Sequence, residues 1–156
     1  MNTATLELIK SFESLHDGDL KKIGLQPKLD PIGIWTEGYG RAMLNPKTKQ
    51  FLKGIANKDY AESIRTITTE AGAVQALNED LTRYAKIAEV ALSTKYWNKL
   101  NDNQKGALTS FVYNCGVGKV KYKIFQNIQL FIDGKLSKTD LIKYWNSSVI
   151  KGGGVI

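Results

Sequence analysis

The chain holds one cysteine and one histidine, and these two scarcities remove several chemistries at once. Cys115 has no second cysteine to pair with, so an internal disulfide and a Cys-rich zinc site are both excluded. It ends the apolar stretch Ser110-Phe111-Val112-Tyr113-Asn114, where a small buried filler is expected. His16 alone builds no transition-metal site, and it is expected to face solvent or pack locally rather than act as a base. Asp17-Gly18-Asp19 lacks the remaining ligands of a calcium loop, and no cofactor motif appears. The expectation is therefore no metal and no cofactor. No apolar run is long enough to span a bilayer, and Met1 to Phe12 does not pair a basic region with an apolar one. The chain is expected to be made in a reducing cytoplasm, without a signal peptide or stable membrane insertion. Internal repeats are absent, and low complexity is confined to Gly152-Gly153-Gly154.

What is present is enough for a packed globule. With 156 residues and 42% apolar content, one domain or two small lobes can bury a core. The net charge of +7 favours a polyanionic partner: nucleic acid, an anionic membrane face, or a bacterial wall with acidic polymers. Nucleic acid is the weakest of these. The basic residues are dispersed, with no run longer than Lys21-Lys22 and no recognition-helix pattern.

Periodicity orders the elements. From Thr3 to Leu15, Leu6, Ile9 and Phe12 recur at helical spacing, and Asp17-Gly18 breaks the pattern. Residues 16–31 read as an irregular connection. Gly33 to Gly40 alternates between spaced glycines and reads as a tight antiparallel ribbon. Residues 45–65 read as loop with a short strand or helix inside it. A long helix is expected over 71–92, opened near Thr68 or Thr69 with Glu70 favouring its N-terminus. Asn101 and Gln104 form an Asn-x-x-Gln variant of the capping box before the stripe Leu108, Phe111, Val112 and Cys115. Further helices are expected around 125–132 and 139–147. The sum is an α+β fold in a single domain over 1–156. A small antiparallel β lobe spans 16–65; helical parts at 1–15 and 71–156 form the other lobe, with a cleft where they meet.

Three residues suit glycosidic chemistry, which needs a protonated acid at the leaving oxygen and a second group for the sugar cation or a water. Glu13 closes the first helix after apolar Phe12, although an ordinary surface glutamate fits that position equally. Asp30, biased towards extended backbone by Pro31, precedes the ribbon and reads either as a turn residue or as a carboxylate on rigid scaffold. Thr36 is either a β-former or a hydroxyl that donates to one group and accepts from a water. Trp35, its neighbour, faces the opposite way in a regular strand and is expected to pack under the sheet.

The run Ile9-Lys10-Ser11-Phe12-Glu13-Ser14, followed by Asp30-Pro31-Ile32-Gly33-Ile34-Trp35-Thr36-Glu37-Gly38-Tyr39-Gly40, resembles the phage lysozyme family, glycoside hydrolase family 24. Asn103-Gln104, Ala107-Leu108, Ser110-Phe111 and Tyr113-Asn114-x-Gly116 resemble the family's second signature. Trp145 stands where the family keeps an aromatic before a Gly-Gly loop. The resemblance implies a lysozyme-like fold and an endolysin muramidase. Its expected substrate is the β-1,4 bond between N-acetylmuramic acid and N-acetylglucosamine in peptidoglycan glycan strands. Glu13 would be the general acid, Asp30 would orient or deprotonate the attacking water, and Thr36 would fix that water. Tyr39, Gln104 and Asn114 stand as substrate-binding residues. The chain would act as a monomer on the wall after release from the host bacterial cytoplasm. It departs from the family's pattern at three places. The 17-residue step from Glu13 to Asp30 is wider than usual, Arg41 replaces a histidine after Gly-Tyr-Gly, and the sequence stops at Ile156, as a shortened form would. Competing readings are a non-catalytic wall-binding module, a chitinase and a lytic transglycosylase; the last needs only one acid.

Overall fold

The computed structural model describes residues 3–12, 25–115 and 123–151. Glu13, His16 and the rest of the 13–24 segment lie outside the described residues, as do Gly116 and the Gly152–Gly154 run. The elements are α1 (Thr3–Phe12), β1 (Lys28–Leu29), β2 (Trp35–Glu37) and β3 (Arg41–Ala42), then a 3-10 turn (Ile55–Asn57) and α2 (Lys58–Ile64). There follow α3 (Glu70–Leu92), α4 (Thr94–Trp97), α5 (Asp102–Cys115), α6 (Lys123–Ile132) and α7 (Lys138–Lys151). The result is a mixed fold with a small three-stranded antiparallel sheet in the order β1-β2-β3. Its residues group into two compact units, 6–80 and 1–5 with 81–156. The boundary falls inside α3, and residues from Leu6 onward group with the sheet.

Within the 6–80 unit, the sheet is built around a ring of backbone hydrogen bonds. Trp35 N donates to Leu52 O at 2.9 Å, Leu52 N to Met43 O at 2.9 Å, and Met43 N to Trp35 O at 2.8 Å. These three residues, with Ala61 of α2, form a buried cluster in this unit. Each backbone group at the hub is thus satisfied where water is excluded, as burial requires. Beyond the hub, isolated bridges pair Leu44 with Phe51 and Ile34 with Lys53. β1 was not expected, because two residues carry no period; its register comes from its partner, Lys28 opposite Thr36 and Leu29 opposite Trp35.

The long helix forms where the sequence placed it. Thr69 caps it: its hydroxyl oxygen accepts from Gly72 N at 3.0 Å, and its carbonyl accepts from Ala73 N at 3.0 Å. The 23 residues of α3 span roughly 35 Å at the α-helical rise. Ala73, Ala76 and Leu77 are buried towards its start, and Leu81, Ala88 and Leu92 farther on.

The other unit is helical. Ala88 and Leu92 of α3 meet Trp97, Leu108, Phe111, Val112, Ile124, Phe125 and Ile128 in one core. Phe111 packs against Trp145 at 5.1 Å and edge-on to Phe125 at 6.4 Å. The expected capping box at α5 forms reciprocally: Gln104 N donates to Asn101 Oδ1 and Asn101 N to Gln104 Oε1, both at 2.9 Å. α6 ends on Gly134 with φ +74°, where Lys135 N reaches Leu130 O at 2.7 Å and Gly134 N reaches Phe131 O at 3.0 Å. That paired closure needs a left-handed residue, which glycine supplies without a Cβ penalty. Cys115 is partly buried at the edge of this core, so the filler expected there is only half enclosed.

Candidate active site

Asp30 opens the turn that joins β1 to β2. Its Oδ1 accepts from Ile32 N at 2.9 Å and from Ile34 N at 2.8 Å. Its backbone closes the same turn, with Asp30 N donating to Ile34 O at 2.8 Å and Gly33 N to Asp30 O at 3.0 Å. Gly33 sits at φ +88°, so the last position of the turn is in a region that suits glycine. Pro31 fits the second position because its ring presets φ. The two readings of Asp30 therefore merge. It is the turn residue, and the clamp consumes one carboxylate oxygen while holding the group on rigid backbone. Oδ2 has no partner among the described residues.

Thr36 lies on β2 between Trp35 and Glu37, both buried at 3% and 7% exposure, and it faces the opposite way, half-exposed. Its hydroxyl donates to Lys28 O at 3.2 Å across the strand pair. The proton of Oγ1 is thus committed, and what the oxygen offers outward is lone pairs. Asp30 and Thr36 lie on the same hairpin. Trp35 packs under the sheet as expected, with Nε1 donating to Gly54 O at 2.7 Å.

Tyr39 lies in the turn between β2 and β3. Its ring is buried at 7% exposure, with Lys10 Nζ of α1 5.6 Å from the ring centre. Burial raises the phenol pKa above its ordinary value, opposed by the Lys10 charge and reinforced by Glu70. A ring so enclosed anchors the last turns of α1 to the β2–β3 turn instead of offering a face to a sugar. Lys10 precedes Glu13 by three residues in the sequence.

Arg41 stands after Gly-Tyr-Gly and holds an acid. Its Nε donates to Asp80 Oδ2 at 3.0 Å and its Nη2 to Asp80 Oδ1 at 3.2 Å, to Ala76 O at 3.1 Å and to Glu79 Oε2 at 3.3 Å. The hydrogen bonds that Arg41 donates to Asp80 raise its pKa above its usual value, against the opposing effect of burial. The fork ties β3 to the first half of α3. Sequence reasoning missed Asp80 as the partner, 39 residues away. It also missed Glu37, whose buried carboxylate accepts from Thr66 N at 3.0 Å and Thr66 Oγ1 at 2.7 Å. The alternation that buries Trp35 was the available signal, since it places residue 37 on the same side.

Gln104 and Asn114 lie on α5, in the helical unit. Both are exposed and engaged locally: Gln104 in the capping box, Asn114 through Nδ2 to Ser110 O at 2.9 Å and Ser110 Oγ at 3.3 Å. Gln104 keeps its amide NH2 and Asn114 its Oδ1 for another partner. Among the described residues no group of three or more His, Cys, Asp or Glu is placed to hold a metal. No helix among them is long and apolar enough to cross a membrane.

The family model described as Phage lysozyme matches residues 19–154. The chain belongs to the phage lysozyme family. The matched span takes in Asp30, Thr36, Tyr39, Gln104 and Asn114, while Glu13 precedes it. This lysozyme-family chain also shares its fold with a solved structure, the muramidase domain of SpmX from Asticaccaulis excentricus. The two are 24% identical with a TM-score of 0.52, over 86% of this chain and 70% of that one. No curated protein matches the chain.

Proposed function

We propose that this chain is an endolysin-type muramidase that hydrolyses the β-1,4 bond between N-acetylmuramic acid and N-acetylglucosamine in peptidoglycan. The observation that carries the reading is the clamped Asp30 on a hairpin that also presents Thr36, in a chain of the phage lysozyme family. Asp30 Oδ2 accepts one hydrogen of the attacking water. Thr36 Oγ1, its own proton given to Lys28 O, accepts the other. A water held by both hydrogens turns a lone pair towards the anomeric carbon, which is the placement a single displacement needs. Glu13 protonates the departing glycosidic oxygen. The Lys10–Tyr39 contact supports this assignment, because it holds α1, whose last residue precedes Glu13 in the sequence, within the same unit as the hairpin. Gln104 and Asn114 contact the glycan through the amide atoms their helix leaves over. The enzyme works as a monomer on the wall once released from the cytoplasm where it is made.

The test is turbidity clearing of permeabilised bacteria by wild type and Glu13→Gln, with analysis of the sugar ends. Clearing by wild type with new reducing ends, and its loss in Glu13→Gln, is expected. Clearing unchanged in Glu13→Gln overturns the acid assignment, and anhydro ends overturn hydrolysis.

A further inference from the structure

The hairpin beyond the sheet hub carries a feature that the proposed chemistry does not use. Leu44, Lys49, Gln50, Phe51 and Lys53 line an open depression of about 380 Å³, within the range of small-ligand sites. Leu44 and Phe51 face each other across their bridge and are exposed at 45% and 52%. Phe51 and Lys53 flank Leu52, which points into the core at 3% exposure, so both project to the opposite side. An apolar floor is thus left open to water beside two ammonium groups.

The segment that forms it carries charge of one sign. From Gly38 to Lys58 the sequence contains no Asp or Glu, and it carries Lys47, Lys49, Lys53 and Lys58. None of these lysines pairs with a carboxylate among the described residues, whereas Arg41 is taken up by Asp80 and Glu79. The loop is also pre-set. Asn45 Oδ1 accepts from Lys47 N at 2.9 Å and Thr48 N at 3.3 Å. Asn45 N donates to Gln50 O, and Lys49 N to Asn45 O, both at 2.8 Å. Lys49 is held at φ +60°, a conformation that costs a non-glycine residue about 1 kcal/mol.

We infer that this depression is a second, non-catalytic binding site for an acidic saccharide, an N-acetylated sugar bearing a carboxylate, as muramyl residues do where no stem peptide is attached to their lactyl group. The inference rests on the muramidase reading for its choice of sugar. Phe51 stacks on the apolar face of the ring, Gln50 meets an amide or hydroxyl, and Lys49 and Lys53 pair with the carboxylate. A lipid surface fits less well, because the apolar side chains floor a recess rather than crown a protrusion. A bare phosphate polymer would leave Leu44 and Phe51 without a role.

The experiment titrates the full-length protein with the disaccharide N-acetylglucosaminyl-N-acetylmuramic acid, whose internal linkage is not the one proposed to be cut. Amide shifts of Lys49, Gln50, Phe51 and Lys53 are followed by NMR, with neutral diacetylchitobiose, polyphosphate and phosphatidylglycerol vesicles as parallel arms. The acidic disaccharide is expected to move these amides most. Lys49→Gln with Lys53→Gln should weaken it about tenfold while sparing chitobiose, and Phe51→Ser should weaken both sugars. Thermal melts of these exposed-site variants confirm that they fold. Unmoved amides overturn the inference, as does a stronger response to polyphosphate or vesicles. If the amides stay still while wild type clears walls, the second site is wrong and the muramidase reading stands. If they respond and no wall is cut, the muramidase reading alone fails.

Discussion

Removing the Arg41–Asp80 fork is the sharpest test of how β3 is tied to the first half of α3. The pair is bidentate, and its side chains are 32% and 10% exposed. Exposed pairs contribute under about 1 kcal/mol, whereas breaking one side of a buried pair costs about 3–5 kcal/mol. With Asp80 enclosed and Arg41 a third open, Arg41→Met should cost about 2 kcal/mol, because it leaves an enclosed carboxylate without its fork. Asp80→Leu should cost a similar ~2 kcal/mol, because the guanidinium loses its enclosed bidentate acceptor and is left with Ala76 O and the exposed Glu79. The double variant strands neither charge and should cost no more than either single one. The coupling energy is then about 2 kcal/mol, read by urea unfolding of all four proteins. In thermal melts each single variant should lose about 4–8 °C. Simple additivity, with coupling below about 0.5 kcal/mol, would refute the argument. It would mean that Ala76 O and solvent satisfy Arg41 well enough without Asp80.

Three shorter expectations follow from local geometry. Ser93 sits at φ 78°, ψ 144° between α3 and α4, a region otherwise left to glycine, so Ser93→Gly should stabilise the chain by about 1 kcal/mol in urea unfolding. A destabilised variant would remove the strain from the account. Glu37→Ala strips two acceptors from Thr66 in a buried setting and should cost about 2–3 kcal/mol, whereas Glu37→Gln, which keeps an acceptor and adds a donor, should cost clearly less. Equal losses would show that the two hydrogen bonds are not what Glu37 contributes. Gln104→Glu keeps the capping acceptor, so melting should be unchanged while KM on glycan strands rises about threefold or more through the lost amide donor. An unchanged KM would restrict Gln104 to capping.

The parts of the fold that repeat a period were legible in the sequence. α3 and α5 announce themselves by apolar spacing and by Thr69, Asn101 and Gln104 at their starts, and the structure confirms each cap. The turn of Asp30 was legible too, because Pro31 and Gly33 each satisfy a backbone demand. What escaped was non-local or too short to have a period. β1 exists only through its pairing with β2. α4, at four residues, shows no amphipathic face. The Arg41–Asp80 and Glu37–Thr66 ties span 39 and 29 residues, and nothing in the sequence marks them as partners. The enclosure of the Tyr39 ring beside Lys10 was likewise not legible, because it depends on the packing of α1.

The central claim is that the Asp30 carboxylate aims a water at the glycosidic carbon, and Asp30→Asn tests it cleanly. Asparagine keeps the Oδ1 acceptor for Ile32 N and Ile34 N, so the turn survives, while Oδ2 is replaced by an amide that accepts nothing. The measurement is the rate of reducing-end release from purified peptidoglycan by wild type and Asp30→Asn, alongside their thermal melts. The account predicts an unchanged melt and a rate lowered by about 100-fold or more, the scale of a lost acid–base group. Equal rates at equal stability would contradict it.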